Sequence, residues 1–546
     1  MDDVKKTSGS GGHAVLVAAG IFLSRIAGLV RQGVLSYFLG TTGAMSAFTA
    51  AMRIPNFLQN LLGEGVLSAS MIPVYARLLA EKDDETASKV AGTIASLLAL
   101  TTAVVVVAGV LFAPALVGIL APGFEPGMAE LTIAIVRILF PGVGLLVLSA
   151  WCLAVLNSHR LFFVPYVAPV LWNVAIIAAL LLFGWGEGAE GVAIIAGWGV
   201  LAGSVLQLAI QLPFIRRVAP GLGWSLDTSL EPVRRVFRNF GPVVIGRGVV
   251  QVSAFVDAIF ASYLTNVALG AIGYAYQLYL LPFSLFGMSV SAAELPAMSS
   301  AVGSPEEIHE MLRRRLGSGL RQIAFFVVPS TLAFFAIGDL LVAALYERGV
   351  FSRESSIYVW YILMGYAIGL LPGTLARLYS SGFYALRDTR TPLYFAVARV
   401  SLSAGLGWLL AFPLRPLVIR ALEATGLSMP RLRGVDVAIA LGAVGLSAAS
   451  GIVSWIEYAL LRGTLRRRIG AIPSNAAHMA RLFGAGLAAS AAGIAVARVA
   501  IPRLAPSLHP VPSAIAAAGA FGLIYLGLAM ALGVPEVRSI TRRLKR

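Results

Sequence analysis

Cysteine is almost absent from this chain of 546 residues: Cys152 stands alone, so no internal disulfide can form. It lies in the apolar run AWCLAVL and reads as a small buried hydrophobe. Charge is also scarce. Asp, Glu, Lys and Arg make up 12% of the chain, about half the share in soluble domains, while 58% is hydrophobic and mean hydropathy is +0.84. That excludes a soluble globular protein and points to an integral membrane protein. Acids are scarcer than bases, 26 against 42, for a formal charge of +16. Only Lys5, Lys6, Lys82, Lys89 and Lys545 are lysines, so nearly all the positive charge is arginine. These arginines sit mostly in short loops between apolar spans, which fits anionic lipid headgroups rather than nucleic acid. The five histidines (His13, His159, His309, His478 and His509) are scattered, with no paired metal-ligand spacing. No nucleotide-binding glycine loop and no nucleophile elbow occur. No metal, cofactor or enzymatic activity is therefore expected, and any work must come from a coupling ion, membrane potential or downstream consumption. The leader MDDVKKTSGSGGH runs into an apolar segment without a small-residue cleavage site and reads as a retained first span.

What is present is a series of long hydrophobic runs. Windows of about 20 apolar residues predict fourteen transmembrane helices in an all-α fold. The first seven are at 13–39, 44–73, 90–114, 128–156, 161–184, 190–215 and 239–264. The second seven are at 268–300, 318–344, 356–385, 391–413, 434–462, 477–501 and 511–533. Arg and Lys recur in alternate loops, at Arg77/Lys82/Lys89, Arg160, Arg216/Arg217, Arg313/Arg314/Arg315, Arg387/Arg390, Arg466/Arg467/Arg468 and the basic tail. This alternation predicts both termini in the cytoplasm. The loop 414–433, with Arg415, Arg420, Arg431 and Arg433, breaks the pattern.

Two internal matches predict a repeat. LLGEGVLSASMIPVYA (61–76) parallels the segment at 284–299, since Leu62 to Pro73 and Leu285 to Pro296 share a spacing of eleven. LNSHRLFFVP (156–165) parallels LRDTRTP (386–392), each a basic turn leading to proline. Helices 1–6 and 7–12 then form two parallel repeats. The expected organisation is an N-terminal lobe at 1–217, a C-terminal lobe at 218–468, and 469–546 holding two added helices and the tail.

The stretch Ala47 to Arg77 carries the chemistry. It is apolar enough to cross a membrane, yet Arg53, Asn56, Gln59, Asn60 and Glu64 run through its middle. A charge at mid-bilayer depth costs at least ~2.5–3.5 kcal/mol, so this helix should line a wet cavity. Arg25 and Arg31 in helix 1 and Arg247 in helix 7 extend the set; Arg137 in helix 4 reads equally as a packing residue. Arg25 and Arg31 are six residues apart, ~240° around a helix, and share a face only if Gly28 bends it. Guanidinium is permanently charged and offers a planar fork of donors that suits phosphate. A cavity rich in arginine and poor in acid predicts an anionic substrate, a phosphate or pyrophosphate. Glu64, Asp257 and Glu294 are the acids available, as counter-ions or as a cation site. Gly28, Pro55, Gly63, Gly65, Pro73, Pro282, Gly287 and Pro296 are the expected bending points.

At SRIAGLVR (24–31), RIPNFLQNLLGEGVLSASMIPVYA (53–76) and VRILFPG (136–142) the chain resembles a known family. Further matches are VLNSHRLFFVPYVAPVLWN (155–173), LYERGVF (345–351) and YALRDTRTP (384–392). The family is the MurJ/MviN lipid II flippases, within the multidrug/oligosaccharidyl-lipid/polysaccharide exporter superfamily. The resemblance implies a V-shaped, two-lobed transporter of the bacterial cytoplasmic membrane with a central cationic cavity. Its substrate would be lipid II, the undecaprenyl-pyrophosphate-linked peptidoglycan precursor, moved from inner to outer leaflet by alternating access for cell-wall synthesis. Helices 13 and 14 would hold the lipid tail, and Arg25, Arg31 and Arg53 the pyrophosphate. The implied partners are the lipid substrate, membrane lipids and cell-wall machinery, with the protein a monomer. Four positions depart from the family pattern: Gln32 and Ser46 stand where acids are common, and Gln59 and Gln277 where bases are. Arg247 would restore part of that charge. The competing readings are export of another lipid-linked oligosaccharide, drug/cation antiport, and a membrane scaffold that no longer transports.

Overall fold

In the computed structural model, the backbone is described for residues 3–300, 303–424, 426, 429–432, 434–473, 476–505 and 508–537. Side chains are described for these residues except at 3–18, 64, 242, 243 and 245–254. The described chain is helical, without strands, and divides into two compact units, Met1–Gly270 and Ala271–Arg546.

The first unit holds α1 (Asp3–Leu39), α2 (Gly43–Leu62), α3 (Glu64–Ser70), α4 (Ile72–Ala80), α5 (Asp84–Leu111) and α6 (Ala113–Leu120). It continues with α7 (Pro126–Ser158), α8 (Phe163–Phe183), α9 (Ala189–Ala209), α10 (Leu212–Val218) and α11 (Glu231–Ser262). Starts follow local chemistry. Thr42 Oγ1 accepts from Met45 N at the head of α2, Asp83 accepts from Thr86 N at the head of α5, and Pro126 opens α7. The unit is built round α7, against which α2, α5 and α9 pack, while α1 lies on α8. Small residues let these helices close: Gly199 and Gly203 of α9 lie against Ile176 and Trp172 of α8, where a Cβ would come within 3 Å. Some polar groups inside the unit are paired across helices. Gln207 of α9 and Gln211, just before α10, both donate to Ser149 Oγ of α7, and Trp151 Nε1 donates to Ala91 O of α5.

The second unit takes in most of α12 (Ala268–Pro282), a π-helical segment (Phe283–Met288), α13 (Ser289–Ser299), α14 (Pro305–Tyr346), α15 (Arg353–Ile368) and α16 (Leu370–Ala385). Then come α17 (Arg390–Ala411), α18 (Arg415–Glu423), α19 (Val437–Ala440), α20 (Gly442–Ile469) and α21 (Ala476–Ala495). A second π segment (Val496–Ala500), α22 (Ile501–Leu504) and α23 (Pro510–Ala531) end it. Here α20 is the hub, packed by α15, α16 and α17, and α14 is clasped by α21 and α23. A capping box between Ser304 and Glu307 starts α14. The loop that broke the charge pattern forms α18, a short helix opened by Pro416.

Among the described residues, ten helices are long and apolar enough to span a membrane, or eleven if the bent pair α15 and α16 is one span. Helix α2 is not one of them despite its 20 residues. Arg53, Asn56, Gln59 and Asn60 keep its hydropathy too low, in line with the polar load read from sequence. The span expected at 44–73 is broken into α2, α3 and α4, and the one at 268–300 into α12, the π segment and α13.

The structure carries the repeat into backbone detail. After α7, Arg160 takes φ +61°, with Arg160 N on Asn157 O and Leu161 N on Leu156 O. After α16, Arg387 takes φ +60°, with Arg387 N on Tyr384 O and Asp388 N on Phe383 O. Aligned at Pro165 and Pro392 the two turns match residue for residue, each a left-handed cap with a hydrogen bond spanning five residues. In the other matched pair, the break at Gly63 corresponds to position 286, inside the π segment. The two units divide at Gly270, and α11 packs on α2, α3, α5 and α6 of the first unit, whereas the repeat read from sequence starts its second copy at 218.

Candidate substrate-binding helices

Helix α1 runs unbroken through Gly28, so Arg25 and Arg31 stay on different faces. Arg31 is half-buried, its guanidinium 5.0 Å from the centre of the Trp172 ring on α8. A cation over an indole face is attracted by the ring quadrupole, which holds the fork in place without neutralising it. Arg25 is exposed among Phe22, Ile26 and other exposed apolar residues. Gln32 is buried and shares its face with Leu35, Ser36 and Leu39, the side of α1 that packs inward.

Helix α2 buries Ala44, Met45, Ala47, Phe48, Ala51 and Ile54, and opens a stripe through Arg53, Asn56 and Asn60. Positions i, i+3 and i+7 lie on one side of a helix, so guanidinium and two amides face the same way; Gln59 is half-buried beside them. Pro55 lies within continuous helix. The chain bends instead at Gly63 (φ −92°, ψ −146°), where a Cβ would sit 2.2 Å from Gln59 O. Gly65 falls inside α3, and Pro73 opens α4 after Met71. Pro282 ends α12 where the π segment begins, and Pro296 lies within α13.

Helix α11 runs beside α2, with Phe255 meeting Phe57 edge to face at 5.0 Å between ring centres. This brings the helix that carries Asp257, itself half-buried, next to the stripe on α2. The side chains of Arg247 and Glu64 lie outside the described residues.

Two expected roles resolve into local structure. Arg137 donates from Nε to Val110 O at the end of α5, a carbonyl that the helix leaves without its usual partner. Ser46 is fully buried and accepts from Gly270 N at 2.9 Å, joining α2 to the start of α12. In the second unit Gln277 is half-buried on α12. Glu294 pairs with Arg315 Nη1 at 3.6 Å and lines a cavity of about 690 Å³ with Glu310, Arg313 and Arg314. Its charge is answered locally, by the helix that follows.

The sequence reading passed over two charged groups in the second unit. Buried Asp339 follows a kink at Ile337 in α14 and pairs with Arg353 of α15 at 2.6 Å and Arg498 of the second π segment at 2.9 Å. Arg377, Arg399 and Glu457 form the other, on α16, α17 and α20. All but Arg353 lie within long apolar helices, which was the signal available. No group of three or more His, Cys, Asp or Glu side chains suited to a metal occurs among the described residues.

Helices of this length, arginines held inside them and an internal repeat define a polytopic α-helical transporter. The comparisons with known proteins narrow this. The family model "Lipid II flippase MurJ" matches residues 35–505, and the chain belongs to that family. A probable lipid II flippase MurJ of Rhizobium meliloti is 28% identical over 96% of this chain and 94% of its own length. The lipid II flippase MurJ of Burkholderia cenocepacia is 32% identical over 70% and 75%. Among solved structures, a lipid II flippase MurJ in an inward closed conformation superimposes with a TM-score of 0.74 at 20% identity, covering 97% of this chain and all of that one. An inward-facing multidrug transporter of the MATE family reaches 0.63 at 15% identity, over 84% and 98%. At these identities the solved structures speak for the fold alone.

Proposed function

We propose that this protein flips lipid II across the bacterial cytoplasmic membrane, from inner to outer leaflet, for peptidoglycan synthesis. The family match over residues 35–505 carries this reading. The chemistry of α1 and α2 agrees with it, because Arg25, Arg31 and Arg53 are permanent cations on helices that otherwise read as membrane spans. Their forks suit the diphosphate of the substrate. The Trp172 ring orients the Arg31 guanidinium on α1. Asn56, Gln59 and Asn60 add neutral donors beside Arg53, and Arg247 and Asp257 on α11 complete the polar set. The headgroup crosses along these helices while the polyprenyl chain stays in lipid. Both termini face the cytoplasm, the protein acts as a monomer, and it performs no covalent chemistry. Drug antiport would call for acids where α1 and α2 carry arginines.

The test is rescue of a bacterium whose own lipid II flippase can be shut off, with expression verified. Wild type restores growth, and Arg31→Ala and Arg53→Ala each do not. Rescue by all three would refute the arginine site, and failure of well-expressed wild type would refute lipid II as substrate.

A further inference from the structure

Helix α16 is packed on almost every side, and its open residues form a single line. Between Leu370 and Tyr384 only Arg377 and Tyr384 are exposed, with Gly373 and Ser380 half-buried. These are positions i, i+4, i+7 and i+11, one stripe of the helix. Beside the stripe stand Tyr279 and Phe283, whose rings stack at 5.5 Å, and the Arg377 guanidinium lies 5.5 Å from the Phe283 ring. Arg399 of α17 reaches Glu457 of α20 with Nε 3.5 Å from Oε2, and both arginines act electrostatically on that carboxylate. The cluster lies deep within its helices. Arg377, Arg399 and Glu457 are about 12, 14 and 18 Å from the Ala385, Arg390 and Ile469 ends, at 1.5 Å per residue.

Two guanidiniums and one carboxylate leave one positive charge over. Arg377 makes no ion pair within 4 Å among the described residues; its guanidinium lies over the Phe283 ring, and Glu457 acts on it only at longer range. An unbalanced cation at this depth is costly unless water or an anion answers it. The Arg399–Glu457 contact, at 3.5 Å, is an ion pair beyond tight hydrogen-bond length, so Glu457 orients Arg399 without saturating its fork.

We propose that Arg377 and Arg399 form an anion-binding station within the second unit, which takes the diphosphate of a polyprenyl-linked lipid. This rests on the reading of the substrate given above. The station is separate in sequence from the arginines of α1 and α2. Glu457 sets the net charge at +1, enough to attract a diphosphate and low enough to release it.

The test uses full-length protein in nanodiscs, labelled undecaprenyl diphosphate as probe, and phosphatidylglycerol as the competing source of phosphate. Arg377→Gln and Arg399→Gln should each weaken diphosphate binding at least tenfold and leave phosphatidylglycerol binding unchanged. Arg377→Lys should recover most of the loss. Glu457→Gln, which raises the net charge, should tighten binding severalfold. Diphosphate binding within twofold of wild type in both glutamine variants overturns the proposal. So does loss of phosphatidylglycerol binding alone, which would assign the cluster to bulk lipid. Weaker binding in Glu457→Gln that tracks a fall in melting temperature also overturns it, since the cluster would then be a packing device. Wild-type rescue of the depleted strain reads out the substrate independently of these results.

Discussion

The two units carry the same turn after corresponding helices and stabilise it by different means. In the first, Arg160 and Leu161 close the cap while His159 Nε2 lies 3.0 Å from the hydroxyl of buried Tyr75. In the second, Asp388 accepts from Arg390 N, Thr391 N and Thr391 Oγ1, and pairs with Arg468 of α20 at 2.5 Å. The units also differ in how they hold intramembrane charge. The first sets Arg31 over a ring; the second ties its buried Asp339 and half-buried Glu457 to arginines. A repeat thus preserves the path of the backbone, while each copy finds its own side chains to support it.

The largest effect is expected from breaking the clasp of the second unit. Asp339→Asn removes the anion between Arg353 and Arg498, and should cost about 3 kcal/mol in unfolding measurements in nanodiscs. A change below ~1 kcal/mol would show that α14, α15 and the second π segment hold together without it. Next is the break in the first repeat. Gly63→Ala places a Cβ 2.2 Å from Gln59 O and should cost about 2 kcal/mol, because backbone must move. At the corresponding position, Phe286→Leu keeps the π segment free of such a clash and should cost less.

The twin turns give the smallest effects, and they titrate at different pH. Asp388 is held at about 2, below 3.8, by hydrogen bonds from Thr391 and by Arg468. Its stabilisation is complete above about 3.8 and is lost as pH falls towards 2. Asp388→Asn should cost about 1 kcal/mol at neutral pH and flatten that acid limb. Burial lowers His159 below 6.5, so the folded state favours the neutral ring. Its contribution is complete above 6.5 and is lost as pH falls below it. Melting of wild type and His159→Gln at pH 7.5 and 5.5 should show a smaller acid loss in the variant. Equal losses would place the sensitivity elsewhere.

Much of this was legible before any coordinates. Hydrophobic runs mark helices because the bilayer demands about 20 apolar residues in succession, and arginine within such runs is too costly to be incidental. The matched spacing of Leu62 to Pro73 and Leu285 to Pro296 located both helix irregularities. Less legible was which residue bends. Proline and glycine both signal a bend, yet α2 passes through Pro55 and breaks at Gly63, where the geometry needs the missing side chain. Arg377, Arg399 and Glu457 went unread because they lie 22 and 58 residues apart on three helices. Ser46, read as a lost acid, turned out to join α2 to Gly270.

By itself, then, the sequence determined a membrane-spanning helical protein of the lipid II flippase family with cationic helices near its start, since composition, period and local motifs are properties of adjacent residues. Only the tertiary structure decided which arginines have partners, that Arg31 rests on Trp172, and that one open stripe on α16 carries an unbalanced charge. Those depend on which faces of distant helices meet, and a bilayer that accepts any apolar face leaves that choice to packing.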